Sequence, residues 1–301
     1  MREHTPETIT DAVVEQMATT PDPRLKEIME SAVRHLHAFA REVNLTPAEW
    51  IYGIEFLTRV GRLCSPARQE FILLSDTLGL STLVNTLHDR TAMEEATHTS
   101  LLGPFFRESA PEFGPGEQIS RKDGAQEVVL FGRVTDSRGN PVPDARVTVW
   151  QTASDGRYDM QVDPEGVDCR GVFRTDAEGR YVLRTVRPLG YYIPLDGPVG
   201  EMVLAQKRHG MRPAHIHFLI GAPGYRELVT ALYLKGDAHL DDDVVFGASA
   251  DLVAEEKADD PESPVPGLPS IRFDFSLSRE SQAERAGRVG ADPASIATAA
   301  E

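Results

Sequence analysis

The sequence predicts an α+β protein, a helical N-terminal dimerisation or linker domain followed by an antiparallel β-sandwich. Two observations carry this. In the first hundred or so residues, apolar side chains recur at helical spacing behind Thr-Pro, Asp-Pro and Ser-Pro start signals. Beyond them Gly, Pro and Asp become frequent, and the apolar runs turn short and alternating, as in a stack of short strands. The expected division is 1–100 helical, 101–280 sandwich, and 281–301 a polar tail with no apolar periodicity, expected to be disordered.

Thr5-Pro6 opens a first helix with Ile9, Val13, Val14 and Met17 on its stripe. Asp22-Pro23 opens a second, carrying Leu25, Ile28, Met29, Leu36, Phe39 and Val43. Thr46-Pro47-Ala48-Glu49 is a capping box before Trp50, Ile54, Leu57 and Val60. Ser65-Pro66 starts a fourth helix with Phe71, Leu73, Leu74 and Leu78, free to continue past Gly79. The stripes are wide, which points to a partner subunit. Strands follow at Val128–Val134, Ala145–Trp150, Gly171–Thr175, Tyr181–Val186, His215–Ile220, Leu228–Leu234 and Ile271–Leu277. The turn from Asp136 to Pro143 makes the first two a hairpin.

Composition narrows the function. Acidic residues outnumber basic ones 47 to 31, for a net charge of -16, which disfavours nucleic acid and anionic membranes. No apolar run approaches the roughly 18 residues that span a bilayer. The polar start lacks a signal-peptide core, so a cytoplasmic location is expected. Cys64 and Cys169 build no disulfide framework and no Cys-ligated metal site.

His215-Ile216-His217 is the sharpest local signal. Strand residues i and i+2 share a face, so both imidazoles project together while Ile216 enters the core. That is half of a metal site, or a polar pair on a solvated face. His35-Leu36-His37 has the same spacing in a helical stripe, where the two diverge by about 200°. Tyr158 and Tyr191 both lie beside glycines. A trivalent hard cation stabilises phenolates, so two tyrosinates and two histidines suit Fe(III) better than Zn(II). Spacing alone favours half-buried structural tyrosines, and a surface role for Arg212.

These residues sit in segments that resemble the intradiol ring-cleaving catechol dioxygenases. The segments are Leu101–Phe106 (LLGPFF), Phe131–Gln151, Gly156–Gln161 (GRYDMQ), Gly190–Gly200 (GYYIPLDGPVG) and Arg208–Phe218 (RHGMRPAHIHF). Glu70–Gly79 and Gly236–Gly247 extend the likeness, which covers about residues 20–280. The Phe131–Gln151 stretch alone marks only a transthyretin-like sandwich, which noncatalytic binding modules share.

The resemblance implies one non-haem Fe(III) per subunit, held by Tyr158, Tyr191, His215 and His217. Tyr191 would take a substrate proton, and Arg212 would stabilise negative charge. The subgroup most similar is the hydroxyquinol (benzene-1,2,4-triol) 1,2-dioxygenases, whose likeness puts Leu73, Asp76, Leu101, Leu102, Gly103, Pro104, Phe105, Ile193, Pro194 and Val245 on the pocket wall. The implied reaction inserts O2 between adjacent hydroxylated carbons, giving 3-hydroxy-cis,cis-muconate or maleylacetate. Catechol or chlorocatechol cleavage to cis,cis-muconates is the alternative. The family also implies a homodimer through the helical region, with a lipid able to occupy its apolar cavity.

Overall fold

The structure, a computed structural model, describes residues 4–65, 68–90, 95–121, 125–163 and 165–281. The chain forms two compact units, Met1–Arg62 and Leu63–Glu301. The tail expected to be disordered lies, from residue 282 onward, outside the described residues.

The first unit contains α1 (Ile9–Gln16), α2 (Pro23–Glu42) and nearly all of α3 (Pro47–Leu63). Its start signals act locally. Asp22 Oδ1 accepts from the amides of Arg24 and Leu25 at 2.8 and 3.1 Å. Thr46 and Glu49 cap each other's amides at 2.9 and 3.3 Å. Thr10 ties α1 to α2 through His37 Nδ1, 3.0 Å away, and through Arg41. Leu25, Ile28, Leu36 and Phe39 of α2 and Trp50, Ile54 and Leu57 of α3 remain exposed.

The second unit begins with α4 (Glu70–Thr77) and α5 (Leu80–Asp89). The fourth helix does not run past Gly79. That residue is left-handed at φ 74° and ends α4, and the chain restarts as α5. Nor does the helix start at the Ser-Pro signal. Ser65 and Arg68 exchange backbone hydrogen bonds in a turn, which delays α4 to Glu70, while Pro66 lies outside the described residues.

The remaining elements are β1 (Glu127–Asp136), β2 (Arg146–Gln151), α6 (Asp159–Val162), β3 (Arg170–Arg174), β4 (Arg180–Val186), β5 (Tyr191–Tyr192), α7 (Pro198–Ala205), β6 (Met211–Arg212), β7 (His215–Gly221), β8 (Leu228–Leu234), β9 (Val253–Ala254), β10 (Glu256–Lys257), β11 (Ser270–Arg272) and β12 (Phe275–Leu277). One sheet joins β1, β4, β10, β11 and β12; the other runs β3-β2-β7-β8-β9; β5 and β6 form a separate ribbon. Val128, Leu130 and Leu183 of the first sheet and Val147, Ile216 and Phe218 of the second belong to one buried core.

Three expectations about the strands need correcting. The sheets are mixed, because β11 and β12 run parallel to β1 and β9 parallel to β8. These strands arrive through long connections, which leave either direction open. β1 and β2 are not a hairpin: β1 pairs with β4, and β2 with β3 and β7. Asp136 Oδ1 closes the turn by accepting the Arg138 and Asn140 amides, and Asp144, at φ 54°, then diverts the chain into the opposite sheet. The expected strand Ile271–Leu277 breaks at Phe273-Asp274. A Cβ at Gly132 would lie 1.8 Å from the Phe273 carbonyl oxygen, and the Arg133 amide donates to Asp274 Oδ1 at 2.9 Å. No helix among the described residues is long and apolar enough to cross a membrane.

Candidate metal centre

β7 lies inside its sheet, between β2 and β8. The two-residue period sends Ile216, Phe218 and Ile220 into the core and the buried His215 and His217 to the opposite face. The β5–β6 ribbon places Tyr191 opposite Arg212 in register. Tyr158 stands at the start of α6, where its amide donates to Gln161 Oε1 at 2.9 Å.

The four donors converge. His215 Nε2 is 3.1 Å from His217 Nε2 and 3.4 Å from Tyr158 Oη. The rings of Tyr158 and Tyr191 meet edge to face at 5.5 Å. Arg212 Nη1 lies 3.1 Å from His215 Nε2 and 3.5 Å from Tyr191 Oη. His215 Nδ1 donates to the Pro213 carbonyl at 2.7 Å, which leaves the Nε2 lone pair facing the other donors.

Burial and the Arg212 charge set the protonation of these donors. Burial, then the Arg212 charge, holds His215 well below the usual imidazole range. Burial, then His215, does the same to His217. Both rings are therefore neutral, the form that ligates metals. Burial, followed by the neighbouring Tyr191, pushes the Tyr158 phenol well above its ordinary value, so it ionises only against a strong positive charge. Two neutral imidazoles and two phenols fit a hard trivalent ion at this point.

Flat rings support two of the donors. Trp150 stacks on His217, and Phe105 stacks on Tyr158 with centroids 4.3 Å apart. Behind them the buried Arg170 donates to both oxygens of Asp159 at 2.6 Å and to the Phe105 carbonyl at 3.0 Å. Burial raises the Asp159 carboxyl, but the Arg170 hydrogen bond and charge outweigh it and the net shift is downward.

Of the expected pocket residues, Leu73, Asp76, Leu101, Phe105, Ile193 and Val245 are buried, and Gly103, Pro104 and Pro194 are half-buried. Gly103, at φ 71°, lies against His217, where a Cβ would be 3.5 Å from Cε1. Leu102 is exposed. Burial raises the Asp76 carboxyl, opposed by a Ser81 hydrogen bond and the Arg212 charge. The His35/His37 pair supplies no site, since His37 bonds Thr10. A hollow of about 1050 Å³ beside Asn85, Asp89 and Leu228 contains none of the four donors. A second cluster, His209, His239 and Asp242, is occupied by its own hydrogen bonds. His209 Nδ1 accepts from the Met211 amide, so its Nε2 donates to Asp242 at 3.0 Å.

Sequence reasoning missed Trp150, Asp159, Arg170, Tyr233 and Asp243. Strand alternation from Val147 and Val149 placed Trp150 on the face opposite the core, the one available signal.

Two family models match the chain in order: Catechol dioxygenase N terminus over residues 22–96 and Dioxygenase over residues 101–279. The chain is 45% identical over 256 residues to 6-chlorohydroxyquinol 1,2-dioxygenase of Cupriavidus pinatubonensis, covering 85% of this chain and 92% of that protein. It is 46% identical over 259 residues to hydroxyquinol 1,2-dioxygenase of Rhodococcus opacus, covering 86% of each. The solved hydroxyquinol 1,2-dioxygenase of Pseudomonas putida is similar with a TM-score of 0.84 and 44% identity, over 91% of this chain and 99% of that one. Family models that together span most of the sequence, and relatives aligned over 78–92% of their own length, make this chain a member of the intradiol ring-cleaving dioxygenases.

Proposed function

We propose that this enzyme cleaves hydroxyquinol with O2 between its two adjacent hydroxylated carbons. Both oxygen atoms enter the product, 3-hydroxy-cis,cis-muconate or its tautomer maleylacetate. The observation that carries the reading is the convergence of Tyr158, Tyr191, His215 and His217 on one point beside Arg212. These four would hold one Fe(III) per subunit. When bound, the ion supplies a Lewis acid for the two diol oxygens and makes the ring open to O2.

The chain's own groups do the rest. Tyr191 Oη, as a phenolate, accepts a proton from the diol. Tyr158, fully buried and stacked on Phe105, stays in place. Arg212 stabilises negative charge as it grows on the ring, and its burial strengthens that effect. Asp76, buried within reach of the Arg212 charge, is the group that recognises the third hydroxyl, which catechol lacks. Leu73, Leu101, Gly103, Pro104, Phe105, Ile193, Pro194 and Val245 form the apolar remainder of the wall. Oxygen uptake on hydroxyquinol against catechol tests the assignment. Faster turnover of catechol would move the enzyme to the catechol class.

The exposed apolar faces of α2 and α3 are where a second copy of the chain would dock, and where a lipid chain would find apolar contact. Neither cysteine is in a disulfide, which fits the reducing cytoplasm.

A further inference from the structure

The buried guanidinium of Arg212 divides its donors between two directions. Nε donates to Asp243 Oδ1 at 3.2 Å, and Nη2 donates to Asp243 Oδ2 and to Tyr233 Oη, each at 3.3 Å. Nη1 faces the other way, toward His215 Nε2 and Tyr191 Oη. We infer that Tyr233 and Asp243 are positioning residues. They occupy one edge of Arg212 and so aim Nη1 at the reacting ring. The inference rests on the role given to Arg212 above.

The network around that edge is closed and directional. Ser100 Oγ donates to the Gly247 carbonyl at 3.2 Å, so Tyr233 Oη, 3.1 Å away, donates to Ser100 and keeps its lone pairs for Arg212. Asp243 is fixed by the Val245 and Gly247 amides at 3.3 and 3.1 Å. Tyr233 is the cross-strand partner of His215, with the rings 5.5 Å apart, so its hydroxyl cannot drift. All three side chains converge on Gly247. A Cβ there would lie 2.8 Å from Tyr233 Oη, 3.0 Å from Arg212 Nη2 and 3.2 Å from Asp243 Oδ2. A lysine offers a point charge without this two-edged fork.

The test is a double-mutant cycle on the iron-loaded enzyme, with Tyr233→Phe made in the native and the Arg212→Lys backgrounds. Iron content and the visible band are followed beside turnover. In the native background Tyr233→Phe should lower kcat about tenfold and change KM by less than about threefold, with iron and colour retained, because the lost contact matters after substrate is bound. In the Arg212→Lys background the same change should cost less than about twofold. Gly247→Ala, which disturbs the network without removing a polar group, should also lower kcat while retaining iron. Equal losses in both backgrounds, or undiminished kcat in Tyr233→Phe, overturn the positioning role. An Arg212→Lys enzyme with full kcat overturns the reading of Arg212 itself, and the positioning role with it.

Discussion

The indole of Trp150 lies parallel to the imidazole of His217, with 4° between the ring planes and 4.9 Å between centroids. The two are register partners across β2 and β7. Trp150 is buried, so Trp150→Ala should cost about 3–5 kcal/mol of stability, read from denaturant unfolding. It should also lower iron stoichiometry, since the ring that holds His217 in plane is gone. Full iron content in the folded variant would remove Trp150 from the support of the site.

The four donors are not equivalent. His215→Ala and His217→Ala should each lose iron, measured by metal analysis, because each deletes a neutral nitrogen at the centre of the cluster. Tyr191→Phe should keep more iron than either and still lose turnover, because it removes the proton acceptor as well as a ligand.

Arg212→Ala should keep iron and lose about 10²–10³-fold in kcat, the usual loss on deleting one charge-stabilising group in a buried site. Steady-state oxygen uptake on metal-analysed protein measures this.

Asp76 links substrate choice to pH. Burial raises its carboxyl in the folded protein above the unfolded value, so the ionised form disfavours folding. Its contribution to stability is greatest below the unfolded pKa and is lost as pH rises through the folded one. Asp76→Asn should therefore raise the melting temperature relative to the native enzyme more at about pH 7.5 than at about pH 4. The same variant should lose more turnover on hydroxyquinol than on catechol. An equal loss on both substrates would separate Asp76 from the third hydroxyl.

The exposed apolar residues of α2 and α3 lead to a particle of twice the 33.1 kDa chain mass by light scattering at micromolar concentration. A monomer under those conditions would contradict the dimer.

What the sequence made legible was mostly local. The caps at Asp22 and Thr46 depend on residues two or three positions away, and both formed. The His215/His217 pair followed from strand alternation alone. The partner of β1 was not legible, because a good turn at Asp136–Asn140 says that the chain reverses and nothing about which sheet it enters. β5 and β6 are two residues each, too short for a period to show. Tyr158, at the start of α6, and Tyr191, in β5, share no spacing beyond a nearby glycine, so the pattern left them as structural tyrosines and the family resemblance made them ligands. Tyr233 and Asp243 reach Arg212 through side chains from a strand and a loop far along the chain, and no local pattern marks such a meeting.

The visible spectrum of the purified enzyme, before and after hydroxyquinol is added without oxygen, bears on all of this at once. Phenolate ligands on Fe(III) give a broad charge-transfer band, and it should shift when the triol binds and Tyr191 takes up a proton. Colourless protein carrying one equivalent of Zn(II), whose filled d shell gives no such band, would contradict the account.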